Sequence, residues 1–180
     1  GTLLESGREL DVSVFSVGRL HCDGEPISST RIRNLLAGGA VAAANALLGY
    51  NYRASGRISG GRRLGRTIGF PTLNLAWAPE CRPQYGVYRV RFRGAAGQKW
   101  RDGVANYGVR PTVEGGGEAP VLEVHAFSAP DLGEGDEMDV EWLDFIRPER
   151  KFDGVEALKS QIARDREAAR EMAEDGRGSD

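Results

Sequence analysis

The sequence predicts a mainly β domain, an antiparallel barrel or sandwich that is closed by a C-terminal helix and preceded by a small α/β segment. Short runs with the two-residue period of a strand, separated by glycine and proline, follow one another from Tyr52 onward. A stretch that begins near Asp153 has the spacing of an amphipathic helix. The chain before Tyr52 combines one strand pattern with two short helical patterns instead.

The first 50 residues predict one strand and two short helices. Residues 11–17 alternate apolar and polar side chains, and residues 21–26 have the composition of a turn. Hydroxyl groups at residues 28–30 can cap a first helix, a second helix covers residues 41–48, and glycine follows each of them. Because these elements bury too little surface to fold alone, we expect residues 1–50 to be the C-terminal remnant of a larger domain.

The second part, residues 51–174, contains four clear strand patterns and the long helix. In the first pattern Tyr88, Val90 and Phe92 share one face and arginines the other, as in a half-exposed strand. The helix begins at a capping-box-like segment, residues 153–156, and we expect residues 175–180 to be a flexible tail. The strand patterns cover Gly86–Phe92, Trp100–Tyr107, Val121–Phe127 and Met138–Phe145.

Composition narrows the class of function by exclusion. The chain carries 24 basic and 26 acidic residues, a net charge of −2, so no strong field favours nucleic acid or an anionic membrane. Cys22 and Cys81 lie far apart, and with two histidines they do not form a usual zinc site. The sequence has no signal-peptide or membrane-span pattern, so we expect a cytoplasmic protein without nucleic-acid or membrane partners. The oligomeric state is left open.

The segment from Gly56 to Asn74 is the densest functional pattern. Its spaced glycines, Gly56, Gly61, Gly65 and Gly69, allow backbone N–H groups to approach phosphate oxygens, and Arg66 adds positive charge. Neither the Walker pattern nor the dinucleotide pattern of glycines is present. A barrel corner or an RNA-binding segment remains an alternative, although Phe70 is the one aromatic residue available to stack a base.

Thr72 and Asn74 follow Pro71 and point to the same side if the segment is extended. A hydroxyl and an amide carbonyl are hard oxygen ligands, which suit Mg²⁺ already bound to nucleotide phosphates. The alternative is that both side chains form turn hydrogen bonds.

Glu123 lies in a strand pattern in which it shares a face with His125, opposite Leu122 and Val124. If the apolar pair faces the core, Glu123 faces outward. A carboxylate near bound phosphates can act as a base toward a hydroxyl nucleophile. The alternative is an exposed glutamate without a catalytic role.

Five motifs, in order, resemble the riboflavin kinase (flavokinase) module of bacterial bifunctional riboflavin kinase/FAD synthetases. Residues 27–33 also resemble the phosphate-contacting motif late in the adenylyltransferase domain of those enzymes, whose early HxGH-type motif is absent. The kinase motifs are Gly65–Asn74, Tyr85–Tyr88, Gly103–Thr112, Leu122–His125, and Phe145–Phe152 followed by Gln161–Asp165.

The resemblance implies a six-stranded antiparallel Greek-key barrel with a C-terminal helix, which transfers the ATP γ-phosphate to the riboflavin 5′-hydroxyl to give FMN and ADP. It implies that Thr72 and Asn74 hold Mg²⁺ and phosphates and that Glu123 is the base. The glycine loop with Arg66 would cover the nucleotide, and Arg147 would belong to a loop that closes over flavin and nucleotide. Leu73 and Arg63 depart from the family pattern, which usually has alanine and often glycine there.

Two other functions remain open at this point. A flavin- or nucleotide-binding regulatory barrel would keep the pocket without turnover, but mere binding does not need the Glu123 carboxylate beside anionic phosphates. FMN adenylyltransferase activity would belong to the longer parent protein and not to this chain.

Overall fold

The structure of the chain is a computed structural model, which describes residues 2–60, 72–94, 98–111 and 118–175. Within these ranges no helix has both the length and the apolar character needed to cross a membrane. The helices are α1 (Leu3–Glu9), α2 (Ser29–Ala37), α3 (Val41–Leu48) and α4 (Val155–Asp175). The strands are β1 (His21–Cys22), β2 (Glu25–Pro26), β3 (Arg53–Ser59), β4 (Thr72–Ala76), β5 (Gly86–Arg93), β6 (Arg101–Pro111), β7 (Glu118–Ala126) and β8 (Glu137–Pro148).

Strands β3 to β8 close into an antiparallel barrel in the order β3–β4–β7–β6–β5–β8. Closure pairs each of these strands on both sides, so the barrel has no free edge. The prediction of a six-stranded antiparallel barrel with a C-terminal helix is confirmed, and each of the four strand patterns lies on a strand.

The barrel interior is filled by alternate residues of each strand. Leu73 and Leu75 of β4 and Leu122 and Val124 of β7 are buried in one core cluster with residues of the other strands. Their neighbours along each strand consequently point to the outer wall. This alternation places Thr72, Asn74, Glu123 and His125 outside the barrel, as the pattern predicted for Glu123.

Aromatic rings fill the part of the core around Trp142. The ring centroid of Trp142 lies 4.6 Å from that of Tyr88 and 5.3 Å from that of Tyr107, both in edge-on geometry. Burial and the neighbouring Tyr85 raise the pKa of Tyr107 to about 12, although Arg82 opposes them. The phenol of Tyr107 is therefore neutral at physiological pH.

Helices α2 and α3 pack on the barrel. Ser28 caps α2 by accepting a hydrogen bond from the Arg31 N–H at 3.2 Å, as predicted, and Leu36, Val41 and Ala44 join the barrel core cluster. Asn45 fixes the contact by donating to the Trp142 carbonyl at 2.8 Å. The predicted domain boundary after residue 50 therefore separates segments that pack against each other, and it remains a prediction.

The predicted strand over residues 11–17 is wrong. The structure has no strand there, and Val12, Phe15 and Val17 are 58%, 87% and 88% exposed. Alternation in sequence reports a chain with two different faces, but a strand also needs a neighbour to complete its hydrogen bonds. None of the described strands pairs with this segment.

Helix α4 covers part of the outer wall, as the amphipathic spacing predicted. Ala169 is buried against Val87 of β5 and Val104 of β6, and Phe127 and Ile146 pack at the edge of this cluster. The helix thus shields aliphatic residues of the outer wall from water. The same contacts fix the position of α4 beside the end of β8.

The wall formed by β3, β8 and β5 carries cross-strand ion pairs, and Glu141 is the most buried member. Its carboxylate accepts hydrogen bonds from Asn51 at 2.9 Å and from Arg53 and Arg91 at 2.6 Å each. Burial alone would raise the pKa of Glu141, but the hydrogen bonds from Asn51, Arg53 and Arg91 outweigh it and lower the pKa below the ordinary value of 4.5.

We expect Glu141→Gln to lower the free energy of unfolding by about 1–3 kcal/mol at pH 7. The two arginines lose their carboxylate, but their side chains are 43% and 39% exposed, so water recovers part of the cost. Because the folded-state pKa is lowered, this stabilisation is present above pH 4.5 and is lost as the pH falls through the folded value.

Urea unfolding of the wild-type chain and of Glu141→Gln, from pH 7 to below pH 4, measures the difference in their free energies of unfolding. A difference in free energy that grows as the pH falls below 4 would contradict it.

Candidate active site

Three polar side chains lie in register across three neighbouring strands of the outer wall. Asn74 of β4 pairs with Glu123 of β7, which pairs on its other side with Asn106 of β6. Neighbouring strands are about 4.8 Å apart, so the two amides flank the carboxylate directly. The pairing brings together Glu123 and Asn74, two of the residues that the sequence predicted for the site.

Thr72 lies in the adjacent register row. It pairs with His125 of β7, and it is two residues from Asn74 on the same face of β4. The Thr72 hydroxyl, the Asn74 amide and the Glu123 carboxylate thus belong to one patch of the outer wall. The side chains of Thr72, Glu123 and His125 are half-buried, whereas Asn74 is 5% exposed.

Asn74 has a polar atom without a partner among the described residues. Its Oδ1 is buried and accepts no hydrogen bond there. A buried amide oxygen without a partner costs free energy, so such an atom in a native protein calls for an explanation. An oxygen that binds a hard cation provides one, because Mg²⁺ prefers oxygen ligands.

The donor set therefore fits a divalent cation that is shared with a phosphorylated ligand. The described residues contain no group of three or more His, Cys, Asp or Glu side chains that could hold a metal ion by itself. Thr72 and Asn74 supply at most two oxygens, and a Mg²⁺ ion usually completes its octahedral shell with phosphate oxygens and water.

The other predicted ligands lie elsewhere or outside the described residues. Gly61, Gly65, Arg66 and Gly69 fall in the range 61–71, which the structure does not describe. Gly56 was predicted, with the other spaced glycines, to approach phosphate oxygens, and it lies within strand β3. A Cβ at this position would come within 3.0 Å of Leu75 Cδ1, so close packing inside the barrel explains the glycine.

Arg147 lies at the end of β8 and not in a free loop, and its guanidinium is held by helix α4. Nε and Nη2 each donate to the Asp165 carboxylate at 2.8 Å, and Gln161 donates to the same carboxylate at 2.8 Å. Such a two-point pair is the strong form of an arginine–carboxylate contact. Val87 of β5 pairs with Asn106 of β6 on one side and with Arg147 of β8 on the other. Arg147 therefore lies in the same register row as Asn106, two strands away.

Asn106 and Glu149 lie beside these residues, and the sequence analysis assigned neither of them a role. Asn106 Nδ2 donates to Glu149 Oε1 at 3.3 Å. Alternation along the predicted strand 100–107 was a usable signal for Asn106, because Ala105 and Tyr107 face the core. Glu149 lies within the Phe145–Phe152 motif, but its position beside Asn106 depends on how the chain leaves β8.

Comparison with known proteins agrees with this architecture. Residues 48–173 match the family model described as "Flavokinase: Riboflavin kinase". The chain is 43% identical over 148 residues to the bifunctional riboflavin kinase/FMN adenylyltransferase of Haemophilus influenzae, a match that covers 82% of this chain and 47% of that protein. The enzyme with the same name from Escherichia coli K12 is 42% identical over 171 residues, or 94% of this chain and 53% of that protein.

A solved structure is similar over most of the chain. A crystal structure described as a macrolide-efflux protein from Streptococcus pneumoniae matches with a TM-score of 0.80 and 33% identity, over 94% of this chain and 55% of that one. The chain spans about half the length of the curated relatives that it matches. The family model covers well over half of the chain, and the chain therefore belongs to the riboflavin kinase family.

Proposed function

We propose that this chain is an ATP-dependent riboflavin kinase, which transfers the γ-phosphate of ATP to the 5′-hydroxyl of riboflavin and releases FMN and ADP. The observation that carries the proposal is the register pair of Asn74 and Glu123 on the outer wall. It sets a buried amide oxygen without a described partner beside a carboxylate. The first suits a cation that is also bound by phosphate oxygens, and the second suits a hydroxyl nucleophile.

In this proposal Glu123 is the general base. Its carboxylate accepts the proton of the riboflavin 5′-hydroxyl as that oxygen forms its bond to the γ-phosphorus. The bond between the γ-phosphorus and the oxygen bridging to the β-phosphate breaks, and the electron pair leaves with ADP. The rigid barrel wall holds Glu123 in place, which limits the geometries that the attacking oxygen can adopt.

Thr72 and Asn74 would hold the cation, Mg²⁺ in this proposal, through their hydroxyl and amide oxygens. When bound, the cation supplies neutralisation of charge on the phosphate oxygens. The chain's own contribution is to fix both oxygens on one strand, two residues apart and beside Glu123. The residues of the glycine loop, Gly61, Gly65, Arg66 and Gly69, would cover the nucleotide.

We expect the purified chain to make FMN but no FAD. The relatives are named for two activities, and the chain spans about half of their length. The sequence given contains segment 27–33 but no HxGH-type motif to accompany it. Incubation with riboflavin, ATP and Mg²⁺, followed by chromatographic separation of the flavins, gives the answer. FAD formed from FMN and ATP would show that the adenylyltransferase activity is present, and no FMN at all would refute the kinase.

A further inference from the structure

Glu149 places a second carboxylate on the outer wall beside the candidate active site. It accepts a hydrogen bond from Asn106 and lies over Gly108, the next outward position of β6. A Cβ built on Gly108 would lie within 2.3–2.7 Å of all three carboxyl atoms of Glu149. Because Gly108 has no side chain, the Glu149 carboxylate occupies the space above it, one strand away from Glu123. We call this space the seat of the carboxylate.

The segment that contains Glu149 is held by contacts of its neighbouring residues. Arg147, two residues earlier, makes its two-point contact with Asp165 of α4. Farther along, the guanidinium groups of Arg147 and Arg150 lie 5.6 Å and 4.7 Å from the ring centroid of Phe152. The segment that carries Glu149 is thus anchored to the helix through Arg147, which fixes where its backbone lies, while the Glu149 side chain is exposed and rests over Gly108.

The two sides of Glu123 differ in chemistry. On the β4 side lie the hydroxyl of Thr72 and the orphan amide oxygen of Asn74. On the β6 side lie the Asn106 amide and the Glu149 carboxylate. A carboxylate repels phosphate oxygens but accepts hydrogen bonds from hydroxyl groups. The β6 side is therefore unsuited to the phosphate donor and suited to a polyhydroxylated acceptor.

We propose that Glu149 and Asn106 bind the secondary hydroxyls of the riboflavin side chain and so deliver its terminal hydroxyl to Glu123. This inference rests on the proposed function. It makes Glu149 and Asn106 the residues that select an acceptor with a hydroxylated chain. The Glu149 carboxylate accepts from the chain hydroxyls, and the Asn106 amide can both donate and accept.

The test compares two flavins, riboflavin and an analogue with a 5-hydroxypentyl side chain, which retains only the terminal hydroxyl. Binding is measured by flavin fluorescence in the presence of Mg²⁺ and ADP for the wild-type chain, Glu149→Gln and Asn106→Ala. We expect each variant to weaken riboflavin binding about 10-fold or more, the range for hydrogen bonds to a charged group, and to change analogue binding roughly twofold at most. Glu137→Gln, on the β8 wall beside Arg57, is the matched control and should change neither.

A second variant moves the carboxylate without removing its charge. In Gly108→Ala the new methyl group occupies the seat, and Glu149 is a flexible exposed side chain that can turn away. We expect the same selective loss of riboflavin binding, whereas a purely electrostatic effect of Glu149 would leave it unchanged.

The outcomes separate this inference from the proposed function. Equal losses for both flavins in Glu149→Gln, or tighter riboflavin binding, would overturn the inference while leaving FMN formation by the wild-type chain intact. A wild-type chain that binds riboflavin but makes no FMN would refute the kinase, and the comparison of the two flavins would still decide the role of Glu149. A wild-type chain that binds neither flavin would overturn both.

Discussion

Replacement of Glu123 by glutamine is expected to lower kcat by about 10²–10⁴, the range for a positioned general base. The substitution keeps the size and polarity of the side chain and one acceptor oxygen, but it replaces the basic oxygen with an NH2 donor. Glu123 is an outward residue of a paired strand, so the barrel core is not altered. The KM for riboflavin should change much less than kcat, because the loss concerns the transition state.

The electrostatic effect of this substitution has a known sign. Loss of a negative charge near ATP phosphates favours nucleotide binding, so a lower KM for ATP in Glu123→Gln does not argue against the base role. Glu137→Gln removes the same charge from the wall formed by β3, β8 and β5, away from the candidate active site, and it is the control. A kcat that is unchanged while the KM for riboflavin rises would assign Glu123 to binding.

Asn74→Ala is expected to lower kcat by about 10–100-fold, at least the loss that follows removal of groups supporting a bound metal. The thermal stability, in contrast, should not fall with the activity. Asn74 is buried, and its Oδ1 has no hydrogen-bond partner in the part of the chain that is described, so alanine removes an unsatisfied polar atom. We therefore expect an unchanged or higher Tm.

Kinetics at increasing Mg²⁺ concentration and thermal unfolding of the same samples measure both effects. Thr72→Ala should also lose activity with little loss of stability, because Thr72 is half-buried at the start of β4. In each case a higher Mg²⁺ concentration should recover part of the activity. Wild-type kinetics in Asn74→Ala, or a Tm lowered by many degrees, would show that the amide is structural.

Local sequence patterns predicted four of the barrel strands and an antiparallel barrel or sandwich, and the family resemblance supplied the six-stranded barrel. The faces on which the candidate site residues lie could also be predicted from local patterns. Alternation along 121–127 is enough to set Glu123 opposite Leu122 and Val124, because a strand has a fixed two-residue period. The spacing of Thr72 and Asn74 places both side chains on one face for the same reason. What the patterns lacked was the pairing of β4 with β7, which brings these faces together.

The rest depends on contacts between residues distant in sequence. Gly56 was predicted as a nucleotide-binding residue because a sequence does not distinguish a glycine that binds phosphate from one that packs in a strand. Its proximity to Leu75 is set by the pairing of strands in the barrel. The two-point contact between Arg147 and Asp165 needs the position of α4 on the wall. Residues 11–17 show the converse, because their alternation is clear but no described strand lies beside them.

The most direct test of the account is single-turnover phosphoryl transfer from γ-labelled ATP to riboflavin, with both substrates saturating, in the wild-type chain and in Glu123→Gln. Saturation removes differences in binding and isolates the chemical step. The account predicts labelled FMN from the wild-type chain and a rate lower by about 10²–10⁴ in the variant. A variant rate within about threefold of wild type, well short of the general-base range, would contradict the role of Glu123 and leave catalysis to positioning and the metal ion alone.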